Sequence, residues 1–223
     1  MRVWNLVALT ATAGTGVPVL LHYRHHGVFS AYQIALAFFL WLNVIVALWE
    51  ICLFLRIDEV RARHLRLRVV YNGRAIARSL AFLSSRVTPR ELFSASFWAG
   101  IWTSYAGFDE SYADKSSFGF FVDVGNGFTT LIPSLIFLSE MTFQRIPARA
   151  LGLVGVLLFY QMWYGTLVYL GSFFLNKRYV GHPLPHLIVI VGCLNGLWLT
   201  FPLVGIYASV QMVYMGSYAL FVH

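Results

Sequence analysis

Four residues with chemistry to offer stand inside long apolar runs. Glu50 interrupts VIVALWEICLFL, Asp123 and Asn126 interrupt FGFFVDVGNGFTTLIPSLIFL, and Asn195 interrupts LIVIVGCLNGLWLTFPLVGI. An ionisable or strongly polar side chain in hydrocarbon is costly, faces a bundle interior or a cavity, and marks a functional site by default. Asp123 and Asn126 are three residues apart, so they share one helix face. Asn195 and Trp198 are spaced in the same way. Trp49 precedes Glu50, and Tyr160, Gln161, Tyr164 and Tyr169 decorate a further apolar run.

Brought to one cavity, these groups offer two carboxyls, two amides and several aromatic faces. A carboxyl in an apolar site can hold its proton near neutral pH. A second carboxyl can take a proton elsewhere on the substrate, and aromatic faces attract a cation without attacking it. The chemistry predicted is protonation of an alkene or epoxide, holding of the carbocation, and deprotonation. Each residue also has a plainer role open to it: Asn195 as interhelical glue, Trp198 as packing, Glu50 and Asp123 as structural polar groups. No nucleotide-binding loop, nucleophile elbow or zinc-protease motif is present. After Glu140 the chain has no acid, so both carboxyls must come from the first 140 residues.

The remaining polar residues read as boundary features. Asp109, Glu110 and Asp114 are expected near the interface and solvated. Glu140 is expected to end a span beside Arg145. His22, His25 and His26 have no neighbouring acid or cysteine and are expected to form an interfacial turn, not a metal site. Cys52 and Cys193 lie within apolar runs and give neither a disulfide framework nor a metal signature. No metal and no cofactor is expected.

The elements that must position the site are membrane helices. The chain is 59% hydrophobic with mean hydropathy +0.70 and only 11% charged residues, against about 25% in a soluble domain. It is predicted to be an integral membrane protein. About 20 mostly apolar residues cross a bilayer as a helix. Segments 3–21, 31–55, 117–139, 149–174 and 185–218 qualify, the last with a kink at Pro202. The expected fold is all-α: one membrane domain over residues 1–223, a bundle of five transmembrane helices with a basic insert, 56–116, between helices two and three. Within that insert, EVRARHLRLRVV and GRAIARSLAFL read equally as amphipathic helices on an anionic leaflet or as solvated loop. RELFSASFWAGIWTSYAGF reads as a short interfacial helix anchored by Trp98 and Trp102.

The 16 Lys and Arg residues divide unevenly about five spans. All but Arg24, Arg145 and Arg149 fall on the side of the insert, which positive-inside logic places in the cytoplasm. That accounts for the formal charge of +7 without nucleic acid as a partner. The expected partners are membrane lipids and a lipophilic small molecule. Gly-rich faces in spans four and five suit packing within one chain or in a homodimer.

The stretch WTSYAGFDESYADKSSFGFFVDVGNGF resembles the emopamil-binding proteins, the sterol Δ8–Δ7 isomerases of the EXPERA superfamily. Its W-x-x-Y-A-x-x-D-x-x-Y pattern falls on Trp102, Tyr105, Ala106, Asp109 and Tyr112 and leads to Asp123 and Asn126. The fourth span is similar at Gln161, Tyr164, Gly165 and Tyr169. The fifth is similar at Gly181, His182, Pro183, Leu184, Asn195, Leu197, Trp198 and Pro202. The likeness covers residues 40–205. Where the family has a His four residues before the second-helix Glu, this chain has Val46. The family's third-helix Glu is Asp123 here, its Thr is Asn126, and its sterol enzymes lack the Arg-rich segment.

The resemblance implies a five-helix membrane fold that moves a sterol ring double bond. It implies Glu50 and Asp123 as the acid–base pair, Asn126 and Asn195 as the residues that orient them, and Trp198 and Tyr105 as the faces toward the cation. Trp49, Tyr112, Gln161 and Tyr164 complete the expected substrate-binding set. The LWE of the second span also resembles the small membrane-bound meroterpenoid terpene cyclases. Two further readings therefore stand beside the isomerase: a cyclase acting on an isoprenoid epoxide or olefin, and a non-catalytic sterol or lipid binder. The expected location is the endoplasmic reticulum membrane in a eukaryote, or the plasma membrane in a bacterium.

Overall fold

A computed structural model describes residues 1–71 and 74–222. Among them no β-strand forms, and the chain is helical almost throughout. Helix α1 spans Val3–His26, α2 Ala31–Tyr71, α3 Ala75–Ser84, α4 Pro89–Leu92 and α5 Ala95–Tyr105. A 3₁₀ turn at Glu110–Ala113 precedes α6 at Phe118–Phe143, and α7 covers Ala148–Leu175. The last long helix begins as α8 at Leu184–Leu187, widens into a π-helical stretch at Ile188–Cys193, and continues as α9 at Leu194–Met215. A final turn, α10, covers Ala219–Val222.

Five of these helices are long and apolar enough to cross a membrane: Val3–His26, Ala31–Tyr71, Phe118–Phe143, Ala148–Leu175 and Leu184–Met215. Their positions follow the apolar runs of the sequence, with two differences. The basic segment does not begin as an insert after the second span. Residues 57–71 continue α2, and the helix changes course at Arg56, whose backbone (φ −132°, ψ 24°) is not helical. The break falls where the apolar run gives way to arginines, so helical propensity carries the chain on after hydrophobicity ends. Likewise His22, His25 and His26 are not a turn but part of α1, with His25 and His26 in its last turn and His22 just before it. Cationic or hydrogen-bonding side chains suit that position, where carbonyls lack intrahelical partners.

Part of the stretch after α2 is helical too. Within GRAIARSLAFL, whose Gly73 lies outside the described residues, Ala75–Leu83 fall in α3, with Ala75 and Arg78 buried, which decides against a solvated loop. Thr88 caps α4 in a reciprocal capping box with Glu91, with Pro89 in the first turn. Ser94 caps α5 by accepting from the Phe97 N–H. These caps set the entry of α5, whose Trp98, Trp102 and Tyr105 recur at four and three residues and share a face.

The chain divides into two compact units. The first comprises Met1–Ala8, Val46–Phe128 and Val168–Gly192. Its core gathers Leu53, Val60, Trp102, Tyr112, Phe120, Tyr169 and Phe173. The second comprises Leu9–Ile45, Thr129–Leu167 and Cys193–His223. Phe39, Phe137, Met141, Phe159, Met212 and Phe221 fill its core and are fully buried. Glycine lets helices approach closely there: a β-carbon on Gly152 would lie 2.7 Å from the Ser209 carbonyl oxygen.

Candidate functional site

The first unit contains both predicted carboxyls. Glu50 is 5% exposed, on α2. A β-carbon on Gly127 of α6 would lie 2.8 Å from the Glu50 β-carbon and 3.0 Å from the Ala47 carbonyl oxygen. α2 and α6 therefore meet backbone to backbone at Glu50, a contact that only glycine permits. Asp123 stands four residues before Gly127, one turn along the same face. It lies close enough to Glu50 for the two carboxyls to interact electrostatically. Oε2 of Glu50 is buried and has no hydrogen-bond partner among the described residues.

An aromatic group adjoins Asp123 and the residue before Glu50. The Trp102 indole donates to the Trp49 carbonyl at 2.6 Å and so fixes α5 against α2 one residue before Glu50. Trp102 stacks on Tyr112 with ring centres 5.1 Å apart. Tyr105 meets the same Tyr112 edge-on at 5.0 Å. Tyr112 hydrogen-bonds Asp123. Burial, and then the neighbouring Asp123, push the Tyr112 phenol well above its ordinary range. It stays protonated and serves Asp123 as a donor.

Further polar groups extend the chain of contacts. The Tyr105 and Tyr169 hydroxyls are 3.4 Å apart. Tyr169 donates to Oδ2 of Asp109 at 3.2 Å. Arg178 donates to the same oxygen at 3.2 Å, and the Ser111 N–H donates to Oδ1 at 2.9 Å. Asp109 is thus 1% exposed and fully partnered, which corrects the expectation of a solvated interfacial acid. Tyr169 and Arg178 lie 60 and 69 residues away in sequence, so nothing local announced the compensation. The one available signal was the place of Asp109 within the W-x-x-Y-A-x-x-D-x-x-Y pattern. By contrast Glu110 is exposed and pairs with Arg68 at 2.9 Å, and Asp114 is exposed as expected. Asn126 is half-buried on α6, three residues from Asp123.

The other predicted residues belong to the second unit. Trp198 donates its indole N–H to Oδ1 of Asn43 at 3.2 Å. Asn43 in turn donates to Thr130 at 3.0 Å and to Ser134 at 3.2 Å. Asn195 is half-buried one turn before Trp198. Gln161 donates to the Thr129 hydroxyl. Tyr164 is 53% exposed and stacks on Tyr160 at 5.8 Å. Asn43 is a buried polar residue that sequence reading passed over. Its signal was present, an amide in the apolar run FFLWLNVIV seven residues before Glu50.

Among the described residues no group of three or more His, Cys, Asp or Glu is placed to hold a metal ion. His22 and His26 each donate from Nε2 to a main-chain carbonyl, that of Phe221 at 2.8 Å and that of Thr142 at 2.8 Å. No family model, curated protein or solved structure matches this chain.

Proposed function

We propose that this protein is a membrane-embedded acid–base enzyme that acts on a lipophilic isoprenoid or sterol, in the manner of the EXPERA isomerases that its motifs resemble. The observation that carries the reading is the pairing of a buried carboxyl with an unpartnered oxygen, Glu50, and a second carboxyl, Asp123, positioned by a phenol. An unpartnered buried acceptor has a cost, and a substrate proton or a protonated substrate would remove it.

One carboxyl delivers its proton to an alkene carbon, and the neighbouring carbon becomes a cation. The other carboxylate removes a proton from the adjoining carbon. The electron pair of that C–H bond closes the new double bond. Atoms and charge balance with no co-reactant, and the two carboxyls exchange protonation states. The faces of Trp102, Tyr105 and Tyr112 stabilise the cation. Asp123 is half-buried, and an apolar substrate reaches it at its open edge. The basic segment faces the cytoplasm by the positive-inside rule.

The test is incorporation of deuterium. Membranes containing the protein are incubated in heavy water with a Δ8-sterol, and the product is read by mass spectrometry. A shifted double bond with one deuterium, lost in Glu50→Gln, supports the isomerase. Ring closure of an isoprenoid epoxide in place of the shift would favour the cyclase. Ligand affinity equal in wild type and Glu50→Gln, with no product from either substrate, would replace enzyme by binder.

A further inference from the structure

Beyond α2's break at Arg56, the first unit encloses a cavity of about 420 Å³ that the acid–base reading does not use. Its lining is strongly basic. Arg68 comes from α2, Arg78 from α3, Arg74 from the position just before α3, and Lys177 and Arg178 from the loop after α7. Two acids also line it, Asp109 and Glu110, and each is already paired, Asp109 with Arg178 at 3.2 Å and Glu110 with Arg68 at 2.9 Å. Among the described residues no carboxylate pairs with Arg74, Arg78 or Lys177. The cavity therefore carries three uncompensated cations.

Arg78 is the unusual member. It is 4% exposed. Nη1 lies 3.1 Å from Nδ1 of His64, and Nη2 donates to the Thr103 carbonyl. Nε is buried with no partner among the described residues. A buried guanidinium with neither a counter-charge nor a full set of acceptors is costly unless an anion completes it. Burial lowers its pKa only to about 10, so it remains a cation at neutral pH. A neighbouring cavity of about 400 Å³ also touches Arg78, but its other charged residues are Arg63, which Glu59 pairs, and Glu91. The cationic excess thus belongs to the first cavity.

We propose that this cavity binds a phosphate group, with Arg78 as the buried anchor and Arg74 and Lys177 as outer clamps. Guanidinium groups match phosphate oxygens in paired hydrogen bonds, and Lys adds a mobile point charge. The shared chemistry is a phosphate monoester, which either a phospholipid headgroup or a soluble phosphate ester supplies. The proposal is independent of the carboxyl pair, since its cavity lining includes neither Glu50 nor Asp123.

The experiment uses the full chain. Purified protein in detergent is titrated calorimetrically with glycerol 3-phosphate. In parallel, protein in phosphatidylcholine nanodiscs containing phosphatidic acid is examined for retained lipid by native mass spectrometry. Saturable binding in the first arm identifies a soluble ester, and selective retention of phosphatidic acid in the second identifies a headgroup. Either result supports the site if the double variant Arg74→Gln, Lys177→Gln weakens it about ten-fold or more while circular dichroism is unchanged. Both positions are exposed, so this variant tests the site without the burden on folding that Arg78→Gln carries. Arg78→Lys, which keeps the charge and loses the fork, is expected to weaken binding as well. Binding in neither arm, or binding unchanged in the double variant, overturns the proposal.

Discussion

Gly127 lies so close to Glu50 that any side chain at 127 would come within 2.8 Å of the Glu50 β-carbon. Both the Ala47 carbonyl and the Ile51 N–H flank the same point, at 3.0 and 3.2 Å. A backbone cannot yield as a flexible side-chain tip does. Gly127→Ala is therefore expected to push α6 from α2, to destabilise by about 1–3 kcal/mol, and to reduce turnover. Gly125→Ala is the control, because a β-carbon there meets nothing within 4 Å. Thermal unfolding of both variants in one detergent checks this. Equal melting temperatures would show that the close approach does not hold α2 and α6 together.

Glu50→Gln and Asp123→Asn preserve shape and remove a titrating group. On the acid–base reading each loses about 10²–10⁴-fold in turnover, the usual contribution of a positioned acid or base. The double variant should lose little beyond the worse single one, since the two act as a unit. Rates are read as deuterium entering product. Full turnover by Asp123→Asn would remove the two-carboxyl mechanism.

Tyr112 donates to Asp123 and stacks on Trp102. Tyr112→Phe keeps the stack and deletes the donor. A turnover loss of about 10²-fold is expected, the scale measured for a single preorganised donor. Because burial keeps this phenol protonated far above neutral pH, the wild-type rate should show no limb from its ionisation between pH 6 and 9. A pH–rate profile of the two proteins checks both statements. A loss no larger than that of Tyr164→Phe, at an exposed position, would make Tyr112 a packing residue only.

The apolar runs made the five long helices legible, because length and hydropathy alone define such segments. The end of the second run at residue 55 even anticipates the break at Arg56. What lay beyond could not be read in the same way. α2's arginine-rich end is not apolar, and α3, though apolar, has only 10 residues, too few to span a bilayer, so hydropathy did not choose between helix and loop. The site was legible where a polar residue interrupts hydrocarbon, as at Glu50 and Asp123. It was hidden where burial is compensated from far along the chain, as Tyr169 and Arg178 compensate Asp109 and as His64 and Thr103 engage Arg78. Asn43 was legible on the same ground as Glu50, since it too interrupts an apolar run and is buried.

Asn43 joins three groups of the second unit: Trp198, Thr130 and Ser134. Interhelical hydrogen bonds in membranes average only about 0.6 kcal/mol. Asn43→Ala breaks all three and leaves the indole donor of Trp198 unsatisfied, so a loss of about 1–2 kcal/mol is expected. Asn43→Asp keeps the acceptor for Trp198 and should recover part of it. Unfolding of the three proteins in mixed detergent measures this. Equal stability of Asn43→Ala and wild type would show that the network contributes nothing.

The pair of Asp109 and Arg178 has unequal partners. The Asp109 side chain is 0% exposed and that of Arg178 21%. Removing the arginine strands a carboxylate with no water, whereas removing the carboxylate leaves a guanidinium that can still reach solvent. Arg178→Gln is therefore expected to destabilise more, by about 3–5 kcal/mol, the range for an orphaned buried charge. Asp109→Asn should cost less, because its amide oxygen at the Oδ1 position still accepts from the Ser111 N–H and its NH2 can donate to the Tyr169 hydroxyl in place of accepting from it. In the double variant no buried charge remains, so its stability should lie above that of Arg178→Gln alone. A double-mutant cycle by chemical denaturation measures the coupling. If the ordering reverses, with Asp109→Asn the less stable protein, then Asp109 matters for its neutral hydrogen bonds and not for its charge.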